Sequence, residues 1–372
     1  MAGNIKKMAN GKFRVALDFG KDASTGQRIR KYQTVSSEAD AKKILSEHEY
    51  NQQRNLTVQP SSMTLAEFLQ IWFDNYVKYN CEETTMYGYK NIINNHIVPM
   101  IGNLDLQKVQ PISIQNYYKH LLEEKKLSAN TVHKHHAVLR KAFDFGLKQQ
   151  FIYRNVADAV SLPKVSKFVG QAYTKEQLKN LLNMVSGNKI ELPVYLAGYM
   201  GLRREEIVGL KWKYIDFNQR LLSIKEVRTS AGSNIIVKAP KTEKSQRTLA
   251  IPDKVFEILI TWKGKQEGFK QLLKDEYEDS GYVYVHDNGK PYRVNSITEQ
   301  FKTFLEKNNL PVIRFHDLRH TFVSILYEEG LDLKSISEAV GHSDTATTDK
   351  IYTHRLDVIH KKTMNVISEA LE

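Results

Sequence analysis

Twice along this chain a polar stretch ends on a threonine followed, three residues later, by a side chain that can close a capping box. The pairs are Thr64 with Glu67 and Thr174 with Gln177. In that pattern the hydroxyl accepts the N–H three residues on, and the longer side chain returns to the threonine N–H, so a helix begins there. The preceding stretches, Arg54 to Met63 (RNLTVQPSSM) and Ser161 to Tyr173 (SLPKVSKFVGQAY), have neither helical nor strand periodicity and read as linkers. Two such breaks in 372 residues divide the chain into segments 1–58, 62–160 and 172–372. With 41% hydrophobic residues, such segments can build real cores.

The first segment reads as strands followed by a helix. Phe13, Val15, Leu17 and Phe19 alternate with Arg14, Ala16 and Asp18, the pattern of a half-buried strand. Lys21 to Gly26 is a turn, and Arg28, Arg30 and Tyr32 alternate with Ile29 and Lys31 in a second strand. Ser37 with Asp40 starts a helix that runs to about Gln53. The open strand face presents Arg14, Arg28 and Arg30.

The second segment is helical. Leu65, Phe68, Leu69 and Trp72 form an apolar stripe, and a further helix covers roughly 84–97. Another begins near Ser113 and carries Ile114, Tyr117, Tyr118 and Leu121. A third begins at Ser128, with Val132, His136, Leu139 and Phe143 on its apolar side and Lys134, Arg140, Lys141 and Lys148 opposite. The third helix also holds His133 and His135. Adjacent histidines do not share a helix face and no carboxylate or cysteine stands at i+4, so these imidazoles are expected at the surface or against phosphate, not on a metal. The third segment mixes helices with strand-like runs at Leu221–Val227, Asn234–Val237, Arg247–Ile251 and Tyr282–His286, the last closed by an Asp287-Asn288-Gly289 turn.

Charge narrows the partner. Lys and Arg number 54 against 42 Asp and Glu, a net charge of +12. The excess is present in all three segments, so the whole chain is expected to lie along a polyanion. One cysteine, Cys81, leaves no disulfide framework and no cysteine-cluster zinc site, which suits a reducing, cytoplasmic setting. No run of 18 apolar residues marks a membrane span, and the first residues lack the apolar core of a secretory signal. Neither a P-loop nor a dinucleotide-binding glycine motif is present, and no cofactor is expected.

Four stretches of the third segment concentrate polar residues that packing would not require. In the first, Tyr199 to Ile207, Gly201 marks a helix end or a close backbone approach, and Glu206 stands three residues after Arg203, where it can orient the guanidinium. The second, Lys238 to Thr248, reads as a basic hairpin tip. The third, Arg314 to Phe322, places His316, Arg319 and His320 on one helix face, with Leu318 and Phe322 toward the core. The fourth, Gly341 to His354, holds His342 and, ten residues later, Tyr352. Each stretch alone has an ordinary reading as solvated surface, or, for the tyrosine, as packing. Together they suit one chemistry. A tyrosine hydroxyl attacks a phosphodiester, arginine forks hold the nonbridging oxygens, a lysine protonates the leaving oxygen, and imidazoles manage the tyrosine proton.

In these motifs the sequence resembles the tyrosine recombinases, specifically phage or integrative-element integrases of the lambda-integrase type. The family pattern appears as Gly201-Leu202-Arg203 with Glu206, Lys241 in Pro240-Lys241-Thr242, His316-Asp317-Leu318-Arg319, Gly341-His342-Ser343 and Tyr352. The resemblance implies catalytic roles for Arg203, Lys241, His316, Arg319, His342 and the nucleophile Tyr352, with Glu206 and His320 in support. It implies a three-stranded sheet plus helix that binds arm-site DNA, an all-α, SAM-like domain that binds the core site, and a mixed, mainly α, catalytic domain. The last two are expected to clamp duplex DNA. It also implies a 3′-phosphotyrosyl intermediate without ATP or metal, a homotetramer on synapsed duplexes, and bending or directionality factors from host or element. Arg14, Arg28, Arg30, Lys134, Arg140 and Lys141 are the expected DNA contacts. The amphipathic run from Leu356 to Leu371 is either a tail docked on a neighbouring protomer or a terminal helix packed on its own domain.

Two alternatives share much of this pattern. A type IB topoisomerase-like enzyme would use the same chemistry but rejoin the original strand. A catalytically silent DNA-binding regulator would need the basic surfaces and not the six-residue set.

Overall fold

The computed structural model describes residues 3–21, 26–53, 58, 60–165, 172–240 and 245–341. Lys241, His342, Tyr352 and the run from Leu356 to Leu371 lie outside the described residues. The chain divides into two compact units, Met1–Ser166 and Lys167–Glu372.

The first unit opens with an antiparallel sheet in the order β1 (Gly3–Lys7), β2 (Phe13–Lys21), β3 (Arg28–Val35), followed by α1 (Glu38–Gln53). β1 has one large apolar residue, Ile5, too little for a strand pattern; pairing Ile5 with Val15 makes it a strand. Val15, Leu17 and Ala41 are buried, with Ile5, Phe13, Phe19, Val35, Ile44 and Leu45 packed around them, so α1 covers one face of the sheet. Asp18 is the unexpected member. It stands in the outward register yet is only 6% exposed, because Arg28 (2.7 Å) and Arg30 (3.4 Å) close over its carboxylate.

The helical part contains α2 (Leu65–Trp72), α3 (Lys78–Asn80), α4 (Glu83–Ile92), α5 (Val98–Ile101), α6 (Pro111–Glu123) and α7 (Ala129–Lys148). The capping box at α2 is formed: Glu67 N–H donates to Thr64 Oγ1 and Thr64 N–H to Glu67 Oε2. Wide π turns at Phe73–Val77 and Ile93–Ile97 carry the chain from α2 into α3 and from α4 into α5. Helix α6 starts at Pro111, two positions before the serine expected to open it, since proline is well suited to a first turn. Its Ile114, Tyr117, Tyr118 and Leu121 are buried as the stripe predicts.

The histidines of α7 depart from expectation. His135, not His136, turns into the core; it is 1% exposed. Its Nδ1 shares a 2.6 Å hydrogen bond with Tyr117 OH, and its ring meets His96 edge-on at 4.9 Å. His136 Nδ1 lies 3.0 Å from Tyr118 OH, and His133 Nε2 donates to Pro163 O. All three are held by neighbours in the fold and none stands as free surface; the two tyrosines of α6 satisfy two of the rings. Burial and the nearby His96 press the His135 imidazole down to about 4.

The second unit begins with α8 (Lys175–Met184), whose box between Thr174 and Gln177 is also formed. Helices α9 (Glu191–Met200) and α10 (Arg204–Gly209) follow. Strands β4 (Ile215–Asp216), β5 (Leu221–Ile224) and β8 (Arg247–Ala250) form one antiparallel sheet in the order β4-β5-β8, and β6 (Val227–Ala231) pairs with β7 (Asn234–Lys238) in a separate two-stranded sheet. Then come α11 (Asp253–Leu273), α12 (Ser296–Lys307), α13 (Asp317–Glu328) and α14 (Leu333–Val340). Among the described residues no helix is long and apolar enough to cross a membrane.

Three strand expectations are corrected. The run from Leu221 to Val227 breaks at Lys225 and Glu226, because β5 and β6 belong to different sheets. Tyr282–His286 is buried coil: Val283, Tyr284 and Val285 are all buried, and only isolated bridges at Tyr282 and Val285 pair it. The basic stretch from Lys238 to Thr248 is not a hairpin tip. It passes from β7 in one sheet to β8 in the other, since β8 pairs with β5. The turn that closes Tyr282–His286 is present, with Gly289 N–H donating to His286 O.

Candidate active site

The site is built on two left-handed glycines. Gly201 ends α9 at φ 62° and Gly341 ends α14 at φ 66°. A left-handed residue at the helix end turns the chain sharply, and glycine does so without a side-chain clash. The turn at Gly201 buries Leu202 and leaves Arg203 as the cap of α10. Glu206 stands one turn further on, where its Oε2 accepts the Arg203 N–H and its Oε1 accepts Arg203 Nη1, both at 2.9 Å.

Glu206 is 2% exposed and holds a second guanidinium. Arg247, from β8, donates Nη1 to Oε1 and Nη2 to Oε2, each at 3.0 Å. Burial alone would push the Glu206 carboxyl up; the Arg247 fork and the Arg203 charge outweigh it and hold the group below its ordinary range. A buried carboxylate shared by two guanidiniums is well satisfied, whereas losing either one leaves buried charge exposed to its full desolvation cost.

The main-chain carbonyls at the end of α14 complete the arrangement. Arg247 Nε donates to Ala339 O at 2.9 Å, Arg319 Nη2 to Val340 O at 2.5 Å and Arg203 Nη2 to Gly341 O at 3.1 Å. Arg319 also donates Nη1 to Gly201 O at 2.6 Å and is 2% exposed. Three guanidiniums thus gather at the negative end of one helix, where orphan carbonyls and the helix dipole both favour cations.

Helix α13 supplies the rest. It lies against α9 and α14. Its entry is fixed by Asp317, which is 1% exposed and takes the Arg314 N–H together with Arg314 Nε and Nη2. His316 stands exposed at the N-cap position of the helix, its ring edge-on to that of His320 at 5.1 Å. Desolvation, then His320 and Arg319, lower the His316 pKa, and desolvation likewise lowers that of His320. Both shifts favour the neutral imidazole, the form that accepts a proton.

Arg203, Glu206, His316, Arg319 and His320 thus belong to one connected region of the second unit. Lys241, His342 and Tyr352 lie outside the described residues, although His342 directly follows Gly341 in the sequence. The other proposed DNA contacts are in the first unit. Arg14 stacks on Tyr32 at 4.1 Å, Arg28 and Arg30 cover Asp18, Arg140 pairs with Asp158 at 2.6 Å and Lys141 donates to Tyr89 OH at 2.9 Å. Lys134 is exposed. The residue that sequence reasoning passes over is Arg247. It is 41 positions from Glu206, and no spacing rule links a strand arginine to a carboxylate that distant.

Guanidiniums gathered around a buried carboxylate, with two imidazoles beside them, form an arrangement chemically able to hold an oxyanion. The phage integrase family profile matches residues 171–358, and the family's N-terminal SAM-like domain matches residues 64–122. The chain belongs to the phage integrase family, the tyrosine recombinases, and is a site-specific recombinase of the kind carried by mobile elements. It is 28% identical to a tyrosine recombinase XerC-like protein of Caldanaerobacter subterraneus subsp. tengcongensis, over 99% of this chain and 98% of that one. It is 27% identical to the ICEBs1 integrase of Bacillus subtilis, over 94% and 95%. In fold it is similar to the Tn1549 transposon integrase, solved in complex with a circular intermediate DNA. There the TM-score is 0.70 at 19% identity, covering 82% of this chain and 100% of that one. It is also similar to lambda integrase, solved as a tetramer bound to a Holliday junction, with a TM-score of 0.58 at 17% identity over 92% of each chain.

Proposed function

We propose that this chain integrates or excises a mobile element by cutting and rejoining DNA through Tyr352. The Tyr352 oxygen attacks the scissile phosphorus, the 3′-phosphate becomes joined to the tyrosine, and the 5′-oxygen leaves with a proton from Lys241. Attack by the 5′-hydroxyl of a partner strand reverses the step on the new duplex and frees the tyrosine. Each transfer exchanges one phosphodiester for another, so neither ATP nor a metal enters the balance. Arg203 and Arg319 hold the nonbridging oxygens, and His316 and His342 take and return protons around them.

The observation that carries this reading is the pair of glycine turns. Arg319 and Arg203 reach carbonyls at Gly201 and Gly341, so both cations are gathered where the chain continues into His342. In the same reading, segments 1–58, 62–160 and 172–372 act as arm-site, core-site and catalytic domains. Four protomers work on two duplexes, as the lambda integrase tetramer on a Holliday junction suggests, in the cytoplasm and with accessory bending factors. Arg14, Arg28, Arg30, Lys134, Arg140 and Lys141 contribute DNA affinity.

The test uses labelled attachment-site DNA carrying a nick that traps the cleaved strand. Wild type forms a covalent protein–DNA adduct and Tyr352→Phe forms none. An adduct that persists in the phenylalanine variant, or no adduct with wild type, overturns the reading. Relaxation of two site-bearing plasmids without strand exchange would instead indicate the topoisomerase-like alternative.

A further inference from the structure

Arg247 closes the site from β8, at the end of the second polar stretch, with no role assigned to it so far. Only 7% of its side chain is exposed, and its fork takes both oxygens of Glu206 while its Nε holds the Ala339 carbonyl. On the opposite side the same carboxylate takes the Arg203 N–H and Arg203 Nη1. One anion therefore lies between two cations.

The charge arithmetic gives this a consequence. Glu206 fixes the direction of Arg203, but a carboxylate 2.9 Å from a guanidinium also cancels its charge toward any third group. A neutral Arg203–Glu206 pair would attract a phosphodiester poorly. With Arg247 included, the three groups keep one net positive charge, and Arg319 adds another beside them.

We propose that Arg247 is a positioning residue for phosphate capture. It offsets the charge of Glu206, so Glu206 can aim Arg203 without quenching it. It also pins the end of α14 that Arg319 and Arg203 grip. The group served is a phosphodiester monoanion of the DNA backbone. The inference rests on the strand-cleavage reading above and deepens it.

The test is single-turnover adduct formation by the full chain at saturating protein on the nicked substrate, with DNA affinity measured separately. Wild type must form the adduct; without it the strand-cleavage reading fails before Arg247 is at issue. Arg247→Met is expected to slow cleavage about tenfold or more, less than loss of a direct transition-state donor costs, with DNA affinity within about threefold of wild type. Adding Glu206→Gln removes the unbalanced negative charge and is expected to restore at least about threefold of that rate. A purely structural ion pair would show the second change as a recovered Tm, so the rates are compared at a temperature where thermal unfolding shows all three variants fully folded, and the rescue is read in the cleavage rate there. Cleavage by Arg247→Met within about twofold of wild type, or a double variant no faster than the single one, overturns the proposal. If Arg247→Met does not unfold cooperatively, Arg247→Lys decides. It keeps the charge and loses the fork, so a fall beyond about threefold overturns the charge argument and a smaller fall supports it.

Discussion

Replacing Gly201 with alanine tests how tightly the glycine turn organises the catalytic unit. The residue sits at φ 62°, and a Cβ added there would lie 2.6 Å from Phe322 Cδ1, 3.0 Å from Phe322 Cε1 and 3.1 Å from Val340 Cγ1. Phe322 and Val340 pack with Val323, Ile336, Leu326 and Tyr327 between α13 and α14, so the ring cannot simply swing away. The left-handed conformation costs an L-residue about 1 kcal/mol. Forcing a methyl into a packed site adds about 1–3 kcal/mol. The sum is about 2–4 kcal/mol, which for a unit of this size lowers Tm by roughly 4–16 °C. The assay is thermal unfolding of the full chain followed by circular dichroism. Gly264→Ala is the internal control. Gly264 lies within α11, and no heavy atom stands within 4 Å of the place its added methyl would take, so alanine there is expected to stabilise by about 1 kcal/mol and raise Tm. A Gly201→Ala transition within about 2 °C of wild type, alongside a normal control, would refute the reasoning.

Two further outcomes are expected. His135 is held neutral in the fold at about 4 against an ordinary 6.5. The unfolded chain therefore takes up a proton that the native chain refuses as pH falls from 6.5 toward 4, and stability drops across that window by about 3 kcal/mol. Urea unfolding at pH 7 and pH 5 should show a larger loss for wild type than for His135→Phe, which has no ring proton to gain; equal losses would sink this account. DNA binding should weaken steeply between roughly 50 and 200 mM salt, because many cations would displace counterions from phosphates. Filter binding across that range that shows a flat response would contradict extended backbone contact.

Helix starts are legible in the sequence because their causes are local. The boxes at Thr64 and Thr174 and the cap at Ser128 each involve residues within one turn, and all three are formed. Apolar stripes are legible for the same reason, as on α6. On α7 Val132, Leu139 and Phe143 are buried as the stripe predicts, and only His136 gives up the inward place, to His135. The hydroxyl of Tyr117 is what lets His135 turn inward instead.

By itself the sequence determined what depends on neighbours in the chain: where helices begin, which faces are apolar, the helix end at Gly201, and the Arg203–Glu206 spacing. The ordered motifs also placed the chain among the tyrosine recombinases. Tertiary structure alone decided what depends on distant segments. It split a strand-like run between two sheets, turned Tyr282–His286 into buried coil, and closed Arg28 and Arg30 over Asp18. It also brought Arg247 to Glu206 and set three arginines on successive carbonyls of α14. The physical reason is the same in each case. Hydrogen bonds within a turn follow from residue spacing, whereas a buried charge finds its partner only once the core has chosen which segments meet.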